Sequence, residues 1–494
     1  MGQVDTAWVR RFHGPVNLAD VAYALTVDNS GNVYVTGYSV GSGTGPDYAT
    51  IKYAPNGNTV WVRRYNGPGN GDDVARALAV DDSANVYVTG TSYGSGTSLD
   101  YATIKYAPNG DTLWVRRYNG PGNADEEARA LTVDESGNVF VTGWSGISPD
   151  YATIKYAPNG DTVWIRRYDG PGNSGDQARA LALDESGNVY VTGESYGSGP
   201  YYDYATIKYA PNGDTLWVRR YDGTGNDFDL PSALALDSAG NVYVTGFSSG
   251  SGTGRDYATI KYAPNGDTLW VRRYNGPTDS VDVAKDLAVD DSGNVYVTGW
   301  SVGSGTNIDY ATIKYTPDGD TVWVRRYDGP GNSYDEAYAL AVDGSGNVYV
   351  TGWSFDLETS NDYATINYTP NGDTVWVRRY NEPGNYVEYA NALAVDDSGY
   401  VYVTGSSGGD YATIKYVQFA CVAKPGDANG DGDILLPDII TIINFLFRSA
   451  PAPNPLCRGD ANANGSVLLP DIIYLINFIF KSGPAPVKSK ECCL

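Results

Sequence analysis

Residues 61–106 read WVRRYNGPGNGDDVARALAVDDSANVYVTGTSYGSGTSLDYATIKY, and this stretch decides the fold because the chain repeats it. It holds four short β-branched and aromatic runs: W-V-R-R-Y, A-L-A-V, N-V-Y-V-T-G and D-Y-A-T-I-K-Y. Clusters of Asp, Ser, Asn, Pro and Gly punctuate the runs, the turn chemistry of tight antiparallel connections. The first run recurs at Trp8, Trp61, Trp114, Trp164, Trp217, Trp270, Trp323 and Trp376, with a period of 53 residues shortened once to 50, and the last D-Y-A-T segment starts at Asp410. Four strands in a unit of this length make a propeller blade, since one solenoid coil is shorter.

The strand order follows from side-chain size. The small Ala residues of A-L-A-V-D suit the crowded axis, so this run is strand A, V-Y-V-T-G is B, D-Y-A-T-I-K-Y is C and W-V-R-R-Y is the outer strand D. The chain then begins with a D strand and ends with a C strand. The segment around Trp8 is therefore expected to complete the last blade, whose A, B and C strands lie between Asn391 and Tyr416. The expected fold over residues 1–416 is all-β, an eight-bladed β-propeller of four-stranded blades closed by the N-terminal strand, which leaves only short edges.

These units resemble the bacterial β-propeller repeats of the SBBP type, which are extracellular. The resemblance spans more than four fifths of the chain. It implies seven blades, whereas eight full sets of markers are present here.

Comparing the units with one another locates the variable surface. The A-to-B and C-to-D turns barely change, while the D-to-A and B-to-C connections, which emerge on one face, carry most of the differences; loops on a rigid scaffold vary without harm to the fold. The B-to-C loops shorten in blade three (Trp144 to Pro149) and blade eight (Ser406 to Gly409), where a notch is expected. Their first position is aromatic at Tyr38, Trp144, Phe247, Trp300 and Trp353, and blade four adds Tyr196, Tyr201 and Tyr202. Such rings either cap their own blades or stack on a sugar or a partner. Five residues before the Leu of strand A stands an acid in every blade: Asp20, Asp73, Glu126, Asp176, Asp229, Asp282, Asp335 and Glu388. These are expected at the channel mouth, either holding a cation or accepting hydrogen bonds from backbone N–H groups or from Arg76, Arg129 and Arg179. The Arg pairs and T-I-K-Y lysines, 23 of the 34 basic residues, read as a solvated outer face.

Composition narrows the function. The net charge of −24 opposes a nucleic-acid groove or an anionic membrane surface and favours cationic partners or calcium. No apolar run is long enough to span a bilayer. A single histidine, His13, leaves little room for a His-based catalytic or metal centre. Only the departures from symmetry in blades five and seven, with Asp227, Asp229, Asp356 and Glu358, offer acids for a carboxylate-based enzyme.

After a linker at 417–425 the chemistry changes. Residues 426–486 carry two loops 33 residues apart, D-A-N-G-D-G-D-I-L-L-P-D and D-A-N-A-N-G-S-V-L-L-P-D. Calcium takes six to eight hard oxygens from alternate residues of a turning loop. The side chains of Asp427, Asn429, Asp431 and Asp438 supply the first set, with the carbonyl of Asp433; Asp460, Asn462, Asn464, Asp471 and the carbonyl of Ser466 supply the second. Gly432 and Gly465 permit the sharp turn, and Ile434 and Val467 are expected to pair as short strands. Each loop runs into an apolar helix, with no helix before it. This loop-helix duplication resembles a type I dockerin, which implies two calcium ions and a cohesin-like partner. Leu436 with Pro437 and Leu469 with Pro470 replace the small hydroxyl residues often found at the partner-selecting positions. Cys421, Cys457, Cys492 and Cys493, the last two in a tail at 487–494, allow three disulfide pairings.

Taken together, these features lead to the expectation of a non-catalytic, extracellular or cell-surface binding protein, its leader absent from this sequence. A calcium-dependent module would tether it to a cohesin-like or surface protein or to another copy. A glycan-binding lectin, a dockerin-bearing glycosidase or lyase, and a self-assembling surface-layer subunit are the other classes carried forward.

Overall fold

The computed structural model describes residues 3–197, 199–419, 424–454 and 456–487. Eight four-stranded antiparallel sheets follow one another, each in the order A-B-C-D. Blade one runs from strand A at Asp20–Val27 to strand D at Thr59–Tyr65. In blade eight the order is Glu388–Val395, Val401–Ser407, Asp410–Phe419 and then the N-terminal Gln3–Phe12 as strand D. Strand A of this blade starts at Glu388, three residues earlier than its small-residue pattern indicates. Each D-to-A connection is seven residues long, from 66–72 between the first two blades to 13–19 between the last and the first.

The seams between blades are alike all the way round. The C-strand Tyr of one blade donates its hydroxyl to the carbonyl of the C-strand Ala in the next, from Tyr48 to Ala102 at 3.1 Å through to Tyr411 to Ala49 at 3.1 Å across the closure. The outer Trp reaches forward in the same way, as Trp61 Nε1 to Pro108 O and Trp8 Nε1 to Pro55 O, both 3.1 Å. Apolar clusters straddle the seams, with Tyr34, Tyr48 and Trp61 of blade one against Val86, Val88 and Ile104 of blade two.

The basic residues belong to this seam, which corrects their reading as a solvated face. The first Arg of each pair packs beside its own Trp and donates to the next blade, as Arg63 Nε does to Gly110 O at 2.6 Å. The second folds inward, Arg64 donating to Ser39 Oγ and to Asp47 Oδ2. Lys52 is buried over the Tyr34 ring and donates to Pro108 O. Long cationic side chains of this kind cover apolar surface while their heads bond carbonyls.

Every A strand carries a bulge. In blade one Ala22 pairs with Gly37 and Ala24 with Thr36, so Tyr23 is left over. The bulge explains the fixed Gly of V-Y-V-T-G: a Cβ on Gly37 would stand 1.9 Å from Val21 O.

The C-terminal module is a separate unit. Helix α1 spans Leu436–Arg448 and helix α2 Leu469–Lys481, each with Pro in its first turn and an Asp at its third position. Ile439, Ile442, Ile472 and Leu475 form its core with Ala428, Ala461 and Val467. Ile434 and Val467 lie in no strand, contrary to the expected pairing; both pack into this core instead. Cys457 is disulfide-bonded, and Cys421, Cys492 and Cys493 lie outside the described residues.

Candidate functional site

The D-to-A and B-to-C connections meet where strands A begin and strands B end, and the eight acids stand there as the first residue of each A strand. They are buried rather than open to the channel. Asp73 Oδ2 accepts from Gly67 N at 2.6 Å and its Oδ1 from Tyr93 N at 3.0 Å; Asp20, Asp176 and Asp229 repeat the arrangement. Arg76, Arg129 and Arg179 bind other acids. Burial pushes Glu126 and Glu388 up to about 7, and each keeps one carboxylate oxygen without a hydrogen-bond partner.

A folded pKa raised above the ordinary value of 4.5 means stability that is full below that value and lost as pH rises through about 7. The melting temperature is expected to fall by about 5 °C from about pH 5 to about pH 8. Glu126→Gln with Glu388→Gln should flatten the profile, and an unaltered slope would contradict the assignment.

The bulge residues of the innermost strands are of five kinds: Tyr23, Arg76, Arg129, Arg179, Ser232, Lys285, Tyr338 and Asn391. Sequence reading missed this position, one of the two that vary most within strand A, the other being the residue after the acid. The five aromatic residues assigned to loop starts lie within strand B, half-buried and paired with strand A, Tyr38 opposite Val21 and Trp144 opposite Glu127. They gather around the bulges. Tyr38 packs on Tyr23, and Arg76 lies over Tyr23 at 4.8 Å. Trp353 meets Tyr389 edge-on at 5.7 Å, and Phe247 packs under Arg255. Trp300 stands opposite Val283.

Blades two to four form a distinct arc. Glu127 Oε1 sits 3.4 Å from Arg76 Nε and 3.5 Å from Arg129 Nε, while Arg179 clasps Glu194 with both nitrogens. Three guanidinium groups against two carboxylates leave one positive charge in a molecule of net charge −24. Trp144 Nε1, buried in this arc, has no hydrogen-bond acceptor, while Arg76 Nε and Arg129 Nη1 face Glu127 at 3.4 Å and Glu194 at 4.0 Å without hydrogen-bond geometry. Across the channel, burial lowers the pKa of Lys285, opposed by Glu336 and reinforced by Arg179.

Other symmetry-breaking acids do not converge. Asp356 accepts from Glu358 N within its own turn, Asp227 from the adjacent Phe228 N, and Asp229 belongs to the seam before blade five. Tyr196 and Tyr202 stack 4.1 Å apart while Tyr201 packs on Phe228. Large apolar side chains are exposed on the same loop face at Leu18, Ile147, Leu357 and Tyr386. The opposite face carries shallow clefts of about 280 to 340 Å³ between A-to-B turns, built alike at several seams.

In the C-terminal module the loop ligands are arranged by backbone bonds. Asp427 accepts from Gly430 N and Gly432 N, and Asp438 from Asn429 N at 3.1 Å and Leu435 N at 2.8 Å. Loop two repeats this, Asp460 accepting from Asn464 N and Gly465 N and Asp471 from Asn462 N and Leu468 N. Asn429, Asp431, Asn462 and Asn464 each accept from the amide two residues on, the last from Ser466 N and Asp431 from Asp433 N. Gly432 and Gly465 take φ of 95° and 88°, a region open to glycine. Burial raises the pKa of Asp438, and the nearby charges of Asp427 and Asp431 add to it. Sequence reading missed Arg458, whose Nη1 lies 2.8 Å from Asp427 Oδ2.

Eight such blades around one axis make the chain a β-propeller protein. A family model described as Beta-propeller repeat, SBBP, matches residues 8–43, 60–96, 113–149, 163–200, 269–305, 322–354 and 375–412, and the chain belongs to that family. The repeat that begins at Trp217 lies outside the matched stretches, and it follows directly into the divergent connection Asp222 to Pro231. A curated relative, the uncharacterized WD repeat-containing protein L264 of Acanthamoeba polyphaga mimivirus, is 23% identical over 201 residues, 30% of this chain and 14% of that protein. The chain therefore spans well under two thirds of that relative. Similar solved structures include the WD40 propeller domain of Doa1 (13% identity, 69% of this chain and 92% of that one, TM-score 0.41) and a PL25 ulvan lyase (12% identity, 82% and 95%, TM-score 0.45). At these identities the likeness is one of fold alone.

Proposed function

We propose that the chain is a non-catalytic extracellular binding protein whose propeller holds its ligand at the loop-face mouth of the channel. One observation carries this reading: seam positions repeat from blade to blade, while no two blades carry the same pair of bulge residue and strand-B neighbour. Structural roles favour repetition, and recognition needs unlike groups at chosen places. The surplus positive charge of Arg76, Arg129 and Arg179 over Glu127 and Glu194, together with the buried Trp144 Nε1 that has no acceptor, favours a ligand bearing a carboxylate or sulfate, because an unmet buried donor costs about 1–3 kcal/mol. The acids that break symmetry serve turns and seams, which weighs against the enzyme.

The tether is the C-terminal module. Its loop oxygens suit two calcium ions, and its helices leave Leu436, Ile440, Phe447, Leu469, Ile473 and Phe480 exposed, the two Phe at 66% and 61%. Apolar faces of this kind mark a protein partner, here a cohesin-like or cell-surface receptor or a second copy. Binding of the immobilised full chain to a panel of acidic and neutral polysaccharides is expected to select acidic members, and Arg129→Ala with Trp144→Ala should weaken it at least tenfold. Equal retention of neutral and acidic members, or no effect of the double substitution, would overturn the assignment of the site.

A further inference from the structure

The seams offer a natural comparison. At each one a C-strand acid, the residue after strand D and the first acid of the next A strand come together. The middle position is Asn at Asn66, Asn119, Asn275 and Asn381, His at His13, and Asp at Asp169, Asp222 and Asp328. In the three Asp cases the carboxylate oxygens of all three acids lie within 4.8 Å of one another.

The seam between blades six and seven differs from the other two. In the seams before blades four and five, the second oxygen of the A-strand acid is taken by a backbone amide, Tyr196 N on Asp176 and Ser249 N on Asp229. In blade seven the corresponding amide, Phe355 N, bonds Tyr334 O instead. Asp335 Oδ1 is left without a donor at 0% exposure, and Asp309 Oδ1, at 3% exposure, has none either. Asp150 and Asp203, the counterparts of Asp309, have no such orphaned oxygen among the described residues, whereas Asp47, Asp100, Asp256 and Asp362 do and Asp282 matches Asp335; in those seams the middle residue is Asn, so this seam alone joins both orphaned oxygens to a third carboxylate. Asp328 is exposed and opens the group to solvent.

We propose that Asp309, Asp328 and Asp335 form a calcium site in the propeller, separate from the loops of the C-terminal module. Two buried carboxylate oxygens without a hydrogen-bond donor, plus a solvent-side carboxylate, supply hard ligands. Charge balance agrees. Three carboxylates with Arg326, which donates to Asp309 Oδ2 at 2.7 Å, sum to a formal charge of −2, and a divalent cation cancels it. The seams with Asn carry one charge fewer. An ion here would join strand C of blade six to strand A of blade seven.

The test uses the full chain carrying Asp427→Ala and Asp460→Ala, so that the module's loops are silent. Calorimetric titration with calcium chloride is expected to retain a site whose stoichiometry falls by one on adding Asp328→Asn. The chain itself places Asn at that position in four seams, so this variant is expected to fold. Calcium should raise the propeller's melting temperature by roughly 3 °C, an increment that Asp328→Asn removes. No calcium bound in the silenced chain, or a stoichiometry indifferent to Asp328→Asn, would overturn the proposal and leave a shared proton as the occupant.

Discussion

A chain lacking residues 1–12 is expected to aggregate, because the missing strand leaves blade eight with three strands and an open edge. Strand C of that blade would present its unpaired amides and carbonyls to other molecules. The apolar side of Trp8, Tyr402 and Tyr411 against Val33, Val35 and Ile51 would be exposed as well. A subtler result follows from the seam chemistry. Trp8 makes the same contact with Pro55 that Trp217 makes with Pro264, 3.1 Å in both. Trp8→Ala and Trp217→Ala should therefore each cost about 3–5 kcal/mol. Chemical denaturation of the two variants checks this, and a near-neutral Trp8→Ala would mean that the N-terminal strand does not close the ring.

The second large effect concerns the metal. Chelation, or Asp427→Ala with Asp460→Ala, is expected to unfold the C-terminal module while the propeller stays folded. The module buries few apolar side chains, Ile439, Ile442, Val467, Ile472 and Leu475 chief among them, and a core this small seldom holds by itself. Buried carboxylates that repel one another add to the cost of the empty loops. A calcium ion bound only by the folded loops would contribute about 4 kcal/mol when free calcium exceeds Kd a thousandfold. The far-UV circular dichroism of two 13-residue helices should disappear with EDTA and return with calcium; helicity indifferent to EDTA would refute the loop assignment.

The strand order, the blade count and the closure are legible in the sequence because turn residues and period-two runs recur eight times at nearly fixed spacing. The seam is less so. Arg63 and Lys52 look solvated when read along the chain, since the carbonyls that hold them belong to the next blade, about 50 residues away, and Arg64 folds back on Ser39 and Asp47 of other strands in its own blade. The bulge at Tyr23 leaves no mark either. A-Y-A-L alternates small and large residues with or without an extra one, and only the paired strand reveals the slip. That is why the aromatic residues are legible as a group but misplaced into loops, and why Arg129 and Arg179 look like partners of the strand-A acids. The two acidic loops are legible because their spacing is local, whereas Arg458 reaches Asp427 from 31 residues away.

The closure at Tyr411 and Ala49 is built from the same bond as the other seams, so that bond carries no address. A free edge cannot tell its own neighbour from the matching edge of a sister chain. The order around the axis is set by tethers seven residues long, which hold the correct neighbour at a local concentration that a separate molecule rarely reaches. Correct assembly is thus a race between intramolecular closure and exchange with other copies, and crowding during synthesis is where that race is run.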